Sequence, residues 1–389
     1  MMNPIPRDAY RQRLERALGR NPVVALIGPR QCGKSTLARG LATGQQAAYF
    51  DLEDPRDLAR LRNPMLEMEH REGLVILDEI QRLPELLPVL RVLADREPLP
   101  ARFLLLGSAT PDLVRASSET LAGRIEFVEM SGFSLDEVGE GSQAELWERG
   151  GFPRSFLARG SADSLAWREQ FVRTFLERDI PQLGITIPAQ ALHRFWTMLA
   201  HYHGQTWNGA EIGRSLGLAH TTVRRYLDLL CGTFVVRQLP PWFENAGKRT
   251  VKAPKVYIRD SGVLHALLRL PDRDAIAGHP KAGASWEGFA LEEVLRWVGD
   301  RDAYFWGTHG GAELDLFLLH QGRRLGIEFK YADAPVLTRS MKVALHDLRL
   351  DRLLVVHPGA SGWRLDERSE VVPLAQLRGV LGLGGGVLA

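Results

Sequence analysis

The strongest chemical signal in the sequence lies near the amino terminus, where residues 28–35 read GPRQCGKS between the apolar run 23–27 and a predicted helix from Thr36. The run matches GxxxxGK(S/T), a loop whose backbone N–H groups surround phosphate oxygens at a helix amino terminus. Lys34 would reach the β and γ phosphates, and Ser35 would ligate magnesium. A glycine-rich turn that only caps a helix is the alternative, and the context on both sides argues against it. The predicted phosphate loop comprises Gly28, Pro29, Arg30, Gln31, Cys32, Gly33, Lys34, Ser35 and Thr36.

A second signal is a pair of adjacent carboxylates, Asp78 and Glu79, which follow the apolar run 74–77 in LVILDEIQ. The pair is weak by itself, because strand ends often carry acids. Combined with the phosphate loop, it predicts that Asp78 holds the magnesium shell and that Glu79 polarises water. A small-molecule kinase would need only the aspartate, so the adjacent Glu79 favours transfer of the γ-phosphoryl group to water.

Three further side chains are candidates for positioning water or stabilising charge. Ser108, after the apolar run 103–106, is predicted to position the attacking water, with a turn-capping serine as the alternative. Arg124, in LAGR, is predicted to act as an arginine finger, supplied by a neighbouring subunit if the protein forms a ring. A surface or salt-bridged arginine is the competing interpretation of Arg124, and Arg178 in ERDI is a weaker candidate for the same role.

Short apolar runs separated by helical stretches must position these side chains. Their alternation predicts a parallel sheet covered by helices on both faces, with polar residues gathered at the carboxyl ends of the strands, where ligands bind. An acidic, glycine-containing stretch, residues 136–151, breaks the pattern and predicts a boundary. The chain then becomes helical before strands return. The predicted strands of the sheet are 23–27, 47–50, 74–77 and 103–106, the later helices are 164–179 and 189–203, and strands resume at 255.

The composition is that of a folded chain with two or three domains. Of 389 residues, 45% are hydrophobic and 25% charged, which excludes a disordered or fibrous protein. No apolar run is long enough to span a membrane and the start has no secretory core, so we expect a cytoplasmic protein without a membrane partner. Two cysteines in a chain of this length exclude a disulfide framework, and neither belongs to a CxxC metal knuckle.

The formal net charge of +2 conceals two oppositely charged segments. Residues 129–148 contain six acids and no base. Residues 214–255 contain eight bases against two acids, a local surplus of six positive charges. The second segment is therefore a candidate for binding nucleic acid, although the total charge gives no such indication.

The order of the motifs closely resembles a widespread group of prokaryotic AAA+ type ATPases with a conserved C-terminal domain described only as of unknown function. The resemblance covers nearly the whole chain and implies an ATP-hydrolysing core, a winged helix and a terminal domain similar to the PD-(D/E)XK nucleases. Gly307 stands where an arginine is expected in the FWRT stretch, which puts in doubt any ligand contact of that side chain. The matching motifs are GPRQCGKSTLA, YFDLED, LVILDEIQRLPELL, LLLGSAT, LAGR, GFSLDE, GGFP, TTVRRYLDLL, NAGKRTVKAPKVYIRDSGVLHALL, GASWEGF, FWGTHGGAELDLFLL and GIEFK.

Independently of that resemblance, two short helices at 209–216 and 221–230, joined by GLAH and followed by the strand TFVVRQL, outline a winged helix-turn-helix. The second helix of such a module enters the major groove, and the basic loop after the strand would neutralise phosphates. A protein contact or a lid over an ATPase core is the alternative use of the module. The predicted DNA-contacting residues are Thr221, Thr222, Arg224, Arg225, Lys248, Arg249, Lys252 and Lys255.

The carboxyl-terminal part contains a D…ExK pattern made of Asp315, Glu328 and Lys330. Two adjacent strands would bring the three side chains together, because residues two apart on a strand share a face. Asp315 and Glu328 would bind magnesium, Lys330 would orient water or stabilise the phosphate, and Glu287 would supply a further acid. The alternatives are a nuclease fold kept as a DNA-binding platform and carboxylates that simply pair with Lys330 and nearby arginines.

The prediction is an α/β protein with a P-loop AAA+ type parallel sheet core, a helical and winged-helix middle and a C-terminal restriction-endonuclease-like α/β domain. We expect a homo-oligomer, of which a hexameric ring is one form, that uses ATP and Mg²⁺ to act on double-stranded or branched DNA. A regulatory switch that binds protein partners and an ATP-regulated defence nuclease are the alternatives. The predicted domains are a P-loop ATPase core at 1–137, a helical linker or lid at 138–190, a winged helix-turn-helix at 191–250 and a nuclease-like domain at 251–389.

Overall fold

The computed structural model describes residues 5–107, 117–243 and 251–383. The contacts divide the chain into two compact units. The first comprises Met1–Gly132 with Gly232–Phe234, and the second comprises Phe133–Cys231 with Val235–Ala389.

A five-stranded parallel sheet with the order β2-β3-β4-β1-β5 forms the centre of the first unit. This confirms the predicted parallel core. In register, Ile27 lies between Gly107 and Glu129, and Asp51 lies opposite Asp78, so the carboxyl ends of the strands form one edge of the sheet. The fifth strand, with the half-buried, charge-bearing sequence IEFVE, is an addition to the four that were predicted. The strands are β1 (Val23–Ile27), β2 (Ala47–Asp51), β3 (Gly73–Asp78), β4 (Ala101–Gly107) and β5 (Ile125–Glu129).

Helices cover this sheet because its central strands, β3, β4 and β1, are mostly apolar and buried and must be shielded from water on both faces. Alternate residues Val23, Ala25, Val75 and Leu77 pack with the helix Leu86–Ala94 in one buried cluster. The helices of this unit include α1 (Asp8–Arg20), α2 (Lys34–Ala42), α3 (Pro55–Arg60), α4 (Pro64–Met68) and α5 (Leu86–Ala94), with a 3-10 turn at Ile80–Arg82.

The second unit begins with helices and a small antiparallel sheet of order β6-β8-β7. Its strands are β6 (Gln205–Thr206), β7 (Val236–Leu239) and β8 (Lys255–Ile258). Strand β8, which the sequence assigned to the terminal domain, lies at the centre of this small sheet; the four domain boundaries stay predictions. The helices are α6 (Leu135–Val138), α7 (Gln143–Arg149), α8 (Pro153–Phe156), α9 (Ser161–Thr174), α10 (Ile180–Gln182), α11 (Ala189–His201), α12 (Gly209–Leu216) and α13 (His220–Gly232), with a 3-10 turn at Glu140–Ser142 and a π-helical turn at Phe175–Asp179.

A six-stranded mixed sheet of order β13-β14-β12-β11-β10-β9 follows in the same unit. Strands β11, β12 and β14 are parallel, and the remaining neighbours are antiparallel. Among the residues described, no helix is long and apolar enough to cross a membrane. The elements are α14 (Ser261–Leu267), α15 (Arg273–Ala277), α16 (Ala282–Val298), β9 (Ala303–Gly307), β10 (Glu313–His320), β11 (Arg323–Phe329), α17 (Arg339–Asp347), β12 (Arg352–His357), β13 (Trp363–Arg364), β14 (Ser369–Pro373) and α18 (Leu374–Val380).

Candidate functional site

The predicted phosphate loop connects β1 to α2 at the carboxyl edge of the parallel sheet. Gly33 precedes α2 with a φ of 103°, a left-handed conformation that glycine adopts without steric cost. Gly28 lies so close to the chain after β5 that a Cβ atom there would be 2.0 Å from the carbonyl oxygen of Met130. The loop therefore has the two backbone requirements that glycines meet in a phosphate cradle, a left-handed turn and a close approach.

The ammonium group of Lys34 is held inside this loop. Its side chain is buried, and Nζ donates hydrogen bonds to the carbonyl oxygens of Gly28 at 3.0 Å and Pro29 at 2.8 Å. Arg7 braces the loop from outside, because its guanidinium donates to the carbonyl oxygens of Cys32, Ser131 and Gly132 at 3.0–3.1 Å. Arg7 could not be recognised as a site residue from the sequence, since a single arginine before a helix forms no pattern.

Tyr49 connects the two predicted magnesium ligands. Its hydroxyl donates to Oδ2 of Asp78 at 2.5 Å and is hydrogen-bonded to the side chain of Ser35. Burial first, and then the hydrogen bond to Asp78, raises the pKa of Tyr49 well above its usual value, so that the phenol stays protonated and remains a donor. The structure therefore brings Ser35 and Asp78 together. The sequence pattern did not identify Tyr49, because its partner Asp78 lies 29 residues further along the chain.

Glu79 faces the phosphate loop from the end of β3. Its φ of 59° is unusual for a residue with a side chain and is the kind of local strain that active sites retain. Oε2 lies 3.8 Å from Nη2 of Arg30, and Gln81 donates a hydrogen bond to the same carboxylate. Burial raises the pKa of Glu79, while Arg30 and Lys34 act against that shift. A carboxylate with increased proton affinity beside the loop has the properties of a general base.

The candidate arginine fingers have different surroundings. Arg124 donates to both carboxylate oxygens of Asp95, at 2.5 and 2.9 Å, so that within its own chain it is a salt-bridged arginine. Arg178 is exposed in the π-helical turn. The role of either residue as a finger stays a prediction. Three predicted side chains, Ser108, Lys248 and Arg249, lie outside the described residues.

Helix α13 carries the four helical residues that are predicted to contact DNA, Thr221, Thr222, Arg224 and Arg225. Asn208 caps the start of α12, since its side chain accepts from the backbone N–H of Glu211, and Gly217 caps its end in a left-handed conformation. Helix α13 buries Val223, Tyr226, Leu227 and Leu230. Its opposite side carries the exposed Thr221, Arg224 and Arg225, next to the half-buried Thr222.

Lys252 is exposed, but the prediction that Lys255 contacts DNA is wrong. The side chain of Lys255 is only 2% exposed and points into a group of carboxylates. The reason is its position on β8, the central strand of the small sheet, where alternate side chains are directed inward. An isolated lysine between proline and valine gives no sequence signal for such burial.

Lys255 pairs with Glu287, Glu313 and Asp315. The D…ExK pattern predicted Asp315, together with Glu328 and the further acid Glu287, but it did not predict Glu313. We term the four residues Glu287, Glu313, Asp315 and Glu328 the C-terminal carboxylate cluster. Lys330 Nζ donates to Oε1 of Glu328 at 2.7 Å, and the backbone N–H of Phe329 donates to Oδ2 of Asp315 at 3.0 Å. Burial, followed by the charge of Asp315, raises the pKa of Glu287 to about 7 and that of Glu328 to about 8. Within the described ranges, no group of three or more His, Cys, Asp or Glu side chains is arranged to hold a metal ion. The cluster thus exists, but the arrangement does not fit the predicted magnesium.

We expect Gly28→Ala to destabilise the first unit and weaken nucleotide binding. The added Cβ would meet backbone rather than a flexible side chain, so the loop or the Met130 segment must move, at a cost of about 1–3 kcal/mol. Urea unfolding and nucleotide titration measure the two effects. Gly40→Ala on α2 is the matched control, because no atom of the described residues lies within 4 Å of its added Cβ, and it should be neutral or stabilising. A Gly28→Ala protein with unchanged stability and affinity would contradict the close approach.

Three family models match successive parts of the chain: an AAA domain over residues 20–139, a domain of unknown function (DUF8612) over 141–274 and another (DUF4143) over 282–377. Among solved structures, the Walker-type ATPase PABY2304 of Pyrococcus abyssi superposes with a TM-score of 0.50 at 16% identity, covering 68% of this chain and 96% of that chain, which shows a shared fold. Two mycobacterial proteins are each 53% identical to this chain over 371 residues, covering 95% of this chain and 84% of their own length. They are Mb2031c of Mycobacterium bovis and Rv2008c of Mycobacterium tuberculosis, both described as uncharacterized. The chain, with its AAA domain and DUF4143 domain, belongs to the family of these mycobacterial proteins.

Proposed function

We propose that this protein hydrolyses ATP and couples the hydrolysis to binding or remodelling of DNA. The observation that carries the first part is the convergence of Lys34, Ser35, Asp78 and Glu79 at one edge of the parallel sheet. A P-loop alone would be compatible with nucleotide binding or with transfer to another acceptor. The additional Glu79, directed at the loop with a raised pKa, favours water as the acceptor.

Each residue of the site then has a separate task. The loop N–H groups and Lys34 bind and orient the β and γ phosphates. Ser35 and Asp78 are hard oxygen donors joined through Tyr49, so they suit Mg²⁺ and would hold it there. When bound, Mg²⁺ neutralises charge on the phosphate oxygens. Glu79 accepts a proton from the attacking water at its carboxylate oxygen, and Arg30 and Lys34 hold that carboxylate near the loop.

The DNA part of the proposal rests on the exposed side of α13. Thr221, Arg224 and Arg225 are directed to solvent, and Lys252 is an exposed base of the same unit. Arg224 forms an ion pair with Asp228 at 3.0 Å, which fixes one arginine and leaves Arg225 as the better candidate for a phosphate or base contact. We include a homo-oligomer, of which a hexameric ring is one form, because an arginine finger such as Arg124 would be supplied by a neighbouring subunit.

The deciding experiment measures phosphate release with no DNA, single-stranded DNA, duplex DNA and a four-way junction. We expect at least one DNA to stimulate hydrolysis and to bind with a strong dependence on salt. Particle size, measured with and without ATP and the junction, tests assembly in the same samples. Hydrolysis that is indifferent to all three DNAs, together with no binding at low salt, would reject the DNA proposal and favour a regulatory switch that binds protein partners.

We expect Arg225→Ala to weaken DNA binding while basal hydrolysis stays unchanged. Loss of one phosphate contact should reduce the slope of log K against log salt by about 1. Fluorescence anisotropy at several salt concentrations provides the measurement. Arg173→Ala is the matched control, since Arg173 is an exposed helical arginine of the same unit that pairs with Glu177 at 3.1 Å. Equal affinities for the two variants would remove Arg225 from the DNA interface.

A further inference from the structure

We propose that the ammonium group of Lys255 is a built-in cation at the centre of the C-terminal carboxylate cluster and takes the place that a divalent metal would need. The cluster then binds no metal in the native protein, and the C-terminal domain works without metal-dependent strand cleavage. This inference is separate from ATP hydrolysis and from DNA binding by α13.

The contacts of Lys255 carry the inference. Its Nζ lies 3.1 Å from Oε1 of Glu287 and 3.2 Å from Oδ1 of Asp315, and it also pairs with Glu313. An ammonium group has three N–H donors and no acceptor, so its three carboxylate partners can satisfy all of its donors. The number of N–H donors on Lys255 thus equals the number of carboxylates that it contacts.

These distances are those of N–H···O hydrogen bonds, whereas Mg²⁺ and Ca²⁺ need oxygens at about 2.0–2.6 Å. A metal could enter only if the ammonium left, because two cations would otherwise share one buried site. Lys255 is anchored against leaving. Its backbone pairs with Thr206 and Leu239 in the centre of the small sheet, its side chain is 2% exposed, and Nζ lies 5.8 Å from the ring centre of Phe305.

The neighbouring groups complete the same arrangement. The hydroxyl of Tyr257 donates to Oε1 of Glu287 at 2.5 Å, the oxygen that also contacts Lys255. Lys330, the lysine of the ExK motif, donates to Glu328 at 2.7 Å. The carboxylates therefore have resident partners from within the chain.

The test compares the native cluster with Lys255→Met, which keeps an unbranched side chain of similar length but removes the charge. Both proteins carry Asp78→Asn, so that the ATPase site contributes little metal binding. Mn²⁺ is the probe, measured by electron paramagnetic resonance of the free ion and by thermal unfolding. We expect no bound Mn²⁺ with Lys255 present. The methionine variant should bind about one ion and unfold at a lower temperature that Mn²⁺ raises, because removing one partner leaves buried charges uncompensated.

Lys342→Met is the matched control, since Lys342 is an exposed lysine of α17, and it should behave as the unsubstituted protein does. If Lys255→Met does not fold, the double variant Lys255→Met with Glu287→Gln replaces it in the test, because it also removes one of the buried carboxylates that have lost their lysine partner. Stoichiometric Mn²⁺ binding by the protein with Lys255, lost on Asp315→Asn, would overturn the proposal. A folded methionine variant that binds no Mn²⁺ would also overturn it, because Lys255 would then not be what excludes the metal.

Discussion

Glu79→Gln is expected to reduce ATP turnover at least about 100-fold while ATP still binds, because the amide cannot accept the proton of the attacking water. The substitution keeps the size of the side chain and its place beside Arg30, so binding through the phosphate loop should survive. Phosphate release measures turnover, and displacement of a fluorescent nucleotide measures binding. We further expect ATP to trap an assembled complex in this variant, visible as an increase in particle size.

The control for this prediction is Glu85→Gln, which removes an exposed carboxylate shortly after the same strand and should leave turnover unchanged. Unchanged hydrolysis in Glu79→Gln would reject the assignment of Glu79 as the base. A fall in binding equal to the fall in turnover would instead make it a residue that shapes the loop.

The pH profile adds a second measurement of the same role. Burial raises the pKa of Glu79, so its carboxylate is protonated at a higher pH than an ordinary glutamate. The base form is present above that pKa and is lost as the pH falls through it. As the pH is lowered, we therefore expect wild-type turnover to fall at a higher pH than it would with an ordinary glutamate as the base. The residual turnover of Glu79→Gln should not show this fall.

The parts of the site that could be predicted from the sequence are those coded by contiguous residues. The loop at 28–35 and the pair Asp78 and Glu79 are local patterns flanked by apolar strands, and the parallel sheet brings them to one edge. Tyr49 and Arg7 could not be predicted in the same way. Each acts through contacts that are distant in sequence, Tyr49 with Asp78 and Arg7 with Ser131, and no spacing rule encodes them.

Lys255 shows that a count of charged residues does not reveal which of them are buried. The basic surplus of residues 214–255 suggests DNA binding only if the basic side chains are exposed. One of the eight bases, Lys255, is instead buried and paired with carboxylates of the C-terminal carboxylate cluster. The D…ExK pattern did predict that Asp315 and Glu328 meet, because adjacent strands impose it. What it could not predict was the ammonium group of Lys255 beside Asp315, since β8 belongs to a separate small sheet.

Lys34→Met is expected to weaken ATP binding about 100-fold, or about 2.8 kcal/mol, and so to abolish hydrolysis at ordinary nucleotide concentrations. Residues 1–247 contain one lysine, Lys34, and their other permanently charged cations are arginines. A compact ammonium fits the space between the carbonyl oxygens of Gly28 and Pro29, which a planar guanidinium does not match. Lys34→Arg should therefore fail to restore binding, although it restores the charge.

Nucleotide titration and thermal unfolding separate loss of the phosphate contact from loss of the fold. Arg16→Met is the control, since it removes an exposed cation from α1 of the same unit and should leave affinity unchanged. Comparison with Glu79→Gln separates the two roles: Lys34→Met should lose both ATP binding and turnover, whereas Glu79→Gln should lose turnover alone. If Lys34→Met bound ATP as tightly as the wild type, the buried ammonium would be a brace for the loop carbonyls, and the phosphates would have to be held by the backbone alone.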